Sequence, residues 1–545
     1  MRITRSTFWL MLAVVLSVSV AHAQNPATSD SISARAVEAD SVVALADTSH
    51  APADEEHAVS EGGHDQAEEA HGEEAHGEEH AGGGHGPSPP VFLVIPFAVL
   101  LLMIATGPLF YAHHWHHHYP KYAVGLGVIV AAYYVLSLHT TVPIMHAAVE
   151  YISFIALLAS LFVASGCILI KTDYAGTAKT NSVLLFIGGV ISNVIGTTGA
   201  SMLLIRPYMR LNKGRIKAYH IIFFIFVVSN VGGALTPIGD PPLFLGFLRG
   251  VPFFWTVAHV WYIWLPTLLV LIGIFAIVDS RNKLQSTRAG VVEAGGDPNP
   301  GSGDEPGDEV KTSAHISIEG KAGFGWLAIV IVAVFLDPKV FEWVPDLHAM
   351  FGLPFGIREI IMIGVCFAAY LTADRKVLEG NEFNFEPIRE VGWLFVGIFL
   401  TMQPALTLIG EFARTNADSL GVTTFYYGTG FLSGVLDNAP TYVSFLSAAM
   451  GKFGMDVNVP AQVLDFATHP GAATGFYLQA ISVAAVFFGA LTYIGNGPNF
   501  MVKAIAESAG VQTPSFVGYM IRYSLPILVP IYVVVWLVFF SGYVL

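Results

Sequence analysis

The sequence is poor in charge. Only 12% of its 545 residues are Asp, Glu, Lys or Arg, about half of what a soluble chain carries. Against this, 54% are hydrophobic, and many apolar stretches reach the roughly 20 residues needed to cross a bilayer. Together these exclude a water-soluble domain and indicate a polytopic membrane protein. Cysteine is scarce too: Cys167 and Cys366 are the only two, both in apolar segments, which excludes a disulfide framework. No His-Glu-x-x-His or Gly-x-Ser-x-Gly signature occurs, so nothing marks an enzyme. Residues 24–90 lack aromatics and are rich in Ala, Glu, His and Gly, so they cannot bury a core. Much of the acid behind the net charge of −15 sits there, and that charge says little about partners. The run His71-Gly-Glu-Glu-Ala-His76-Gly-Glu-Glu-His80 has the composition of a loose metal binder but no fixed ligand geometry. It reads as a solvated tail, and no metal site is assigned to it.

What is present is a duplication. Residues 233–244 read Gly-Ala-Leu-Thr-Pro-Ile-Gly-Asp-Pro-Pro-Leu-Phe, and residues 489–500 read Gly-Ala-Leu-Thr-Tyr-Ile-Gly-Asn-Gly-Pro-Asn-Phe. Upstream of each lies a second matched pair, Gly189-Val-Ile-Ser-Asn193 and Gly434-Val-Leu-Asp-Asn438. Polar, helix-breaking motifs repeated in the same order point to a transporter built from a structural repeat.

Charge counts set the expected topology. Residues 1–23 read as a signal peptide, with Arg2 and Arg5 before an apolar core and Ala21-His22-Ala23 at the cleavage position. The tail 24–90 is then periplasmic and the spans lie in the inner membrane. The first membrane half is 91–279, with the His113–His118 run as an interfacial cluster between spans 91–111 and 122–138. Residues 182–205 are apolar enough to span once, yet Lys171 and Lys179 precede them and Arg206, Arg210, Lys213, Arg215 and Lys217 follow. A re-entrant hairpin entering and leaving on one side satisfies both clusters, turning near Ser192-Asn193 and Gly196-Thr-Thr-Gly199. Residues 219–247 form a helix broken at Thr236–Pro242, because proline removes a donor and clashes with the preceding turn. Residues 280–320 read as a flexible cytoplasmic linker. The second half, 321–545, repeats the pattern with a hairpin at 424–450 and a broken helix at 475–502. The expected fold is therefore an all-α polytopic membrane protein. It has inverted-topology repeats, two re-entrant hairpins and two broken transmembrane helices.

Four polar breaks are expected to converge near the midplane. Broken helices expose amide N-termini and free carbonyls, and hydroxyl and amide side chains add hard oxygen ligands suited to sodium. The candidate ion-binding residues are Ser192, Asn193, Thr197, Thr198, Thr236, Asn438, Thr441, Thr492, Asn496 and Asn499. Asp240 and Asp437 are the candidate coupling acids. A carboxylate at membrane depth costs at least ~2.5–3.5 kcal/mol and can trade its proton for a cation. Each could instead serve as a helix N-cap. Thr401-Met-Gln-Pro404 is a weaker candidate for lining the pathway, and Arg358–Glu359 reads as an interfacial pair.

These paired motifs resemble the ion transporter superfamily, which includes dicarboxylate/sodium symporters, citrate–metal transporters, arsenite permeases and NhaD-type sodium/proton antiporters. The likeness covers roughly residues 91–545. It is nearest to the NhaD type through Ser192–Ser201, Thr236–Pro242 and Asp437–Thr441. That resemblance implies exchange of sodium (or lithium) for protons, with transport of arsenite or di- and tricarboxylates as the alternative. The expected partners are sodium, protons and the lipid bilayer, with no nucleic acid and no bound cofactor; a homodimer is left open. Dicarboxylate symporters carry Ser-Asn-Thr at both hairpin tips, whereas here the second tip carries Asp437. A carboxylate there repels an anion by about 4 kcal/mol at 4 Å and an effective dielectric near 20. On this reading Asp437→Asn abolishes proton-coupled exchange.

Overall fold

The computed structural model describes residues 88–282, 316–350, 355–469 and 473–543, apart from positions 173, 175, 339, 342, 348 and 349. The expected signal peptide, all but the last three residues of the His/Glu-rich tail, and most of the expected linker lie outside the described residues. The first half consists of α1 (Val91–Phe110), α2 (Ala112–Leu136), α3 (Val142–Gly166), α4 (Ala178–Leu211), α5 (Ala218–Val227), α6 (Pro241–Arg249) and α7 (Trp255–Ser280). The second half begins with α8 (Ala322–Val334), α9 (Ile357–Thr372), α10 (Arg375–Gly380), α11 (Glu386–Thr415) and α12 (Val422–Val435). It ends with α13 (Asn438–Lys452), α14 (Pro460–Thr468), α15 (Thr474–Phe488), α16 (Gly497–Ser508) and α17 (Phe516–Phe539). Eight helices among the described residues are long and apolar enough to cross a membrane. The chain is thus an all-α polytopic membrane protein.

One small ribbon departs from the all-α expectation. Leu169–Thr172 pairs antiparallel with Ile316–Glu319, and Lys171 reaches Glu319 at 2.7 Å. The end of the expected linker is therefore tied to the end of α3. Helix α2 also starts ten residues before the expected span. The His113–His118 run forms its first turns, anchored by Trp115 and Tyr119, which are buried.

The long helix α4 is not one span. Its side chains Asn181 and Asn212 exchange two hydrogen bonds of 2.8 Å although they are 31 residues apart, which a straight helix would separate by about 46 Å. The chain reverses at Gly196, whose φ of 78° and ψ of 154° suit glycine alone. The second hairpin is α12–α13. Phe425 and Phe445 stack edge-on across it at 6.3 Å, and the turn is the extended pair Leu436 and Asp437.

Each broken helix is interrupted more widely or extended further than the sequence indicates. The first stops at Val227 and restarts at Pro241, so the whole segment 228–240 is non-α-helical. The second stops at Phe488, restarts at Gly497 and runs to Ser508 rather than 502. Protein rather than lipid surrounds the second broken helix: 89% of the Thr474–Leu491 window is buried, against 22% for α17. Irregular backbone at depth is tolerated only in such surroundings.

Buried charges away from the four breaks are paired. Asp279 on α7 accepts from Asn181, Arg215 and Tyr219 at 2.6–2.9 Å, pinning the open end of the first hairpin. Arg249 reaches Glu150 at 2.8 Å. Arg358 and Glu359 are buried in protein; Arg358 also holds Asp337 at 2.6 Å, and Ser153 donates to Glu359 at 2.7 Å. Removing one member of such a buried pair costs about 3–5 kcal/mol, because its partner stays charged.

Candidate functional site

The repeated words Gly-Ala-Leu-Thr-x-Ile-Gly fold into the same closed loop twice. Thr236 Oγ1 accepts from the Gly239 amide at 3.1 Å, and Thr492 Oγ1 accepts from the Gly495 amide at 3.1 Å. Each loop brings its two end glycines together. A Cβ on Gly239 would lie 2.1 Å from the Gly233 carbonyl, and one on Gly495 would lie 2.6 Å from that of Gly489. The next residue in each loop opens the second half-helix: Asp240 before α6 and Asn496 before α16.

The hairpin tips dock on these loops in matching fashion. The Thr197 amide donates to the Gly239 carbonyl at 2.8 Å, and the Asn438 amide donates to the Gly495 carbonyl at 3.2 Å. The spatial counterpart of Asn438 is therefore Thr197, four positions after Asn193. That corrects the register suggested by the repeated letters. Ser192 and Asp437 are not counterparts; Gly196 stands opposite Asp437 in the pattern, as the residue just before each docked amide.

All four breaks meet on Asp240, which is 1% exposed. Its Oδ1 accepts from Thr197 Oγ1 at 2.7 Å and Asn496 Nδ2 at 2.8 Å, and its Oδ2 accepts from Asn438 Nδ2 at 2.6 Å. One donor comes from each hairpin and one from the other broken helix. Asp240 occupies the N-cap position of α6 but makes no side-chain capping bond, so its carboxylate is turned to the junction. Among the described residues, none of these bonds comes from Lys or Arg.

Asp437 behaves differently. It is half-buried, and its carboxylate accepts from the Ala439 amide at 3.0 Å as the N-cap of α13. Thr441 turns back to the Asp437 carbonyl at 2.8 Å. The remaining candidates divide by what they touch. Ser192 donates to the Gly188 and Val228 carbonyls, each at 2.8 Å, tying the first hairpin to α5. Asn193 accepts from the Leu235 amide at 2.8 Å, and Thr236 donates to the Asn193 carbonyl. Thr198 lines a narrow cleft beside Asp240, walled by Phe154, Leu157 and Leu161 of α3. Thr401 and Gln403 bond back to their own helix, which stays helical through Pro404.

Sequence reasoning missed Asn230. Its Nδ2 donates to Asn499 Oδ1 at 2.6 Å, and its Oδ1 lies 3.3 Å from Asn496 Nδ2. A signal existed: Ser229-Asn230 is a polar pair inside an apolar run and repeats the letters Ser192-Asn193. Attention to proline placed the break too late to include it.

The chain is similar to an uncharacterized transporter of Mycobacterium bovis, with 22% identity over 339 residues, 60% of this chain and 69% of that protein. An uncharacterized transporter of Mycobacterium tuberculosis shows the same identity and coverage. Residues 87–540, nearly the whole membrane region, match a family described as "Putative citrate transport". This protein, with its two hairpins and two broken helices gathered on one carboxylate, belongs to that transporter family.

Proposed function

We propose that this transporter exchanges sodium (or lithium) for protons across the inner membrane, with Asp240 as the coupling carboxylate. One observation carries the reading. A deeply buried acid sits where all four breaks meet, held only by neutral donors. Such a group needs a proton or a cation as its counterpart. The hydroxyl, amide and carbonyl oxygens around it are ligands of the hard type that sodium takes. Asp437, one residue from Asn438, is a second acid at the rim rather than the centre.

We further propose that the two halves are related by inverted topology. The matched amide-to-glycine bonds at the two hairpin tips support a repeat, and the charge flanks support its inversion: Lys and Arg crowd both ends of the first hairpin, whereas residues 451–474 after the second carry only Lys452. Exchange then proceeds as the hairpins and broken helices shift relative to α3 and the other flanking helices, exposing Asp240 alternately.

A second reading is carboxylate transport, favoured by the family description and by the half-helix N-termini of α6 and α16 at the junction. It has to overcome the charge of Asp240. An anion at 4 Å meets about 4 kcal/mol of repulsion at an effective dielectric near 20, some three decades of affinity. Reconstituted protein separates the readings. Sodium added to vesicles carrying an imposed pH gradient collapses that gradient under the first reading. Radiolabelled citrate uptake without gradient collapse establishes the second.

A further inference from the structure

The three asparagines around the second loop form a relay with a fixed direction. Asn499 Nδ2 donates to the backbone carbonyls of Gly489 and Thr492, both at 2.9 Å. Carbonyl oxygens only accept, so the NH2 edge of Asn499 must face them and its Oδ1 must face away. There it receives Asn230 Nδ2 at 2.6 Å. The same Asn230 NH2 donates to the Ile225 carbonyl at 2.8 Å, which turns Asn230 Oδ1 toward Asn496. Asn496 Nδ2 is then received by Asn230 Oδ1 at 3.3 Å, Ser229 O at 3.1 Å and Asp240 Oδ1 at 2.8 Å. Asn496 cannot reverse its amide without setting oxygen against oxygen at these contacts.

The other oxygen of Asp240 has a neighbour that no backbone carbonyl fixes from behind. Asn438 Nδ2 donates to Asp240 Oδ2 at 2.6 Å, while Asn438 Oδ1 is buried without a partner. A buried acceptor left open is costly, and only Asp240 Oδ2 itself opposes a reversal of the Asn438 amide, an opposition that a proton on Oδ2 removes. The carboxylate therefore has one locked face and one adaptable face.

We infer that Asn230 and Asn499 are positioning residues. They act through Asn496 to clamp Asp240 Oδ1, leaving Oδ2, beside Asn438, as the oxygen that changes partner during exchange. Neither residue touches Asp240. The relay joins the first broken helix to the second, so its polarity is set by backbone carbonyls of both halves. Its functional meaning rests on the exchange reading, but its geometry can be tested separately.

The test is infrared spectroscopy of the full chain in liposomes, where the wild-type minus Asp240→Asn difference spectrum isolates the Asp240 carboxyl bands. Asn230→Ala and Asn499→Ala are each expected to displace those bands as loss of one ordered donor does. The control Asn193→Ala, whose amide bonds only within the first hairpin and its loop, leaves them in place. In the exchange assay, Asn230→Ala raises the half-maximal sodium concentration about three- to tenfold, the worth of one hydrogen bond, with the maximal rate retained. A purely structural role lowers the amount of folded protein and moves neither reading. Should Asn230→Ala fail to insert, Asn230→Ser is read in its place. Unmoved Asp240 bands in the folded relay variants, or equal movement in Asn193→Ala, overturn the relay. Displaced bands in a protein that shows no sodium exchange leave the relay standing and sink the exchange reading instead.

Discussion

The two loops that interrupt the broken helices share a backbone and differ in chemistry. Both close through a threonine hydroxyl on a glycine amide, and both receive a hairpin-tip amide on that glycine's carbonyl. The residue that follows is Asp240 in one and Asn496 in the other, facing each other at 2.8 Å. Aspartate and asparagine have the same shape, so duplication of the frame places an acid against its own amide. A symmetric pair of acids would repel, and a symmetric pair of amides would carry no charge. The asymmetric pair gives one buried carboxylate with a built-in donor.

The hairpin tips carry the same lesson. The residue before each docked amide is Gly196 in the first half and Asp437 in the second. The first solves the turn by backbone freedom at positive φ. The second solves it with φ of −70° and a side-chain cap on α13.

Breaking the first comparison gives the largest expected effect. Asp240→Asn makes both loops amide-bearing and abolishes sodium-driven collapse of a pH gradient, while the protein still inserts and folds by detergent size-exclusion. Asn496→Asp makes both loops acidic. Two carboxylates 2.8 Å apart destabilise the fold by about 6 kcal/mol at neutral pH, taking an effective dielectric near 20. The loss is relieved by acid or by combining the variant with Asp240→Asn, and denaturation monitored by Trp fluorescence checks it. Gly196→Ala forces an L side chain into a glycine-only conformation and costs about 1–3 kcal/mol in the same assay. The smallest effect is that of Asp437→Asn. Asparagine caps as well as aspartate, so stability holds within about 0.5 kcal/mol. Exchange falls less than in Asp240→Asn, because Asp437 is spent on the Ala439 amide. An equal loss of exchange in the two variants would make both acids carriers, as the sequence reading has it.

Much of this architecture was legible in the chain itself. Apolar length marked the spans, and clashing charge flanks around 182–205 required a reversal, which the Asn181–Asn212 pair confirms as a hairpin. The repeated letters located both loops, and Asp240, Thr197, Asn438 and Asn496 were all named among the candidates. Register was not legible. The match of Asn193 with Asn438 is a match of letters, whereas the docking amides are those of Thr197 and Asn438. A one-turn offset along a helix preserves the face and much of the local pattern, so sequence alone does not resist it. Asn230 was hidden for a related reason. Its importance lies in a contact with Asn499, 269 residues away.

By itself, the sequence determined that this protein lives in a bilayer, that it carries the same pair of motifs twice, and that polar breaks interrupt its helices. Those properties follow from composition, periodicity and the local rules of proline and glycine. Only the tertiary structure decided which acid stands at the centre. Asp240 and Asp437 both precede a half-helix or hairpin arm, and both could cap it. One caps and the other does not, because burial leaves Asp240 with three donors from other elements that no local capping bond could replace.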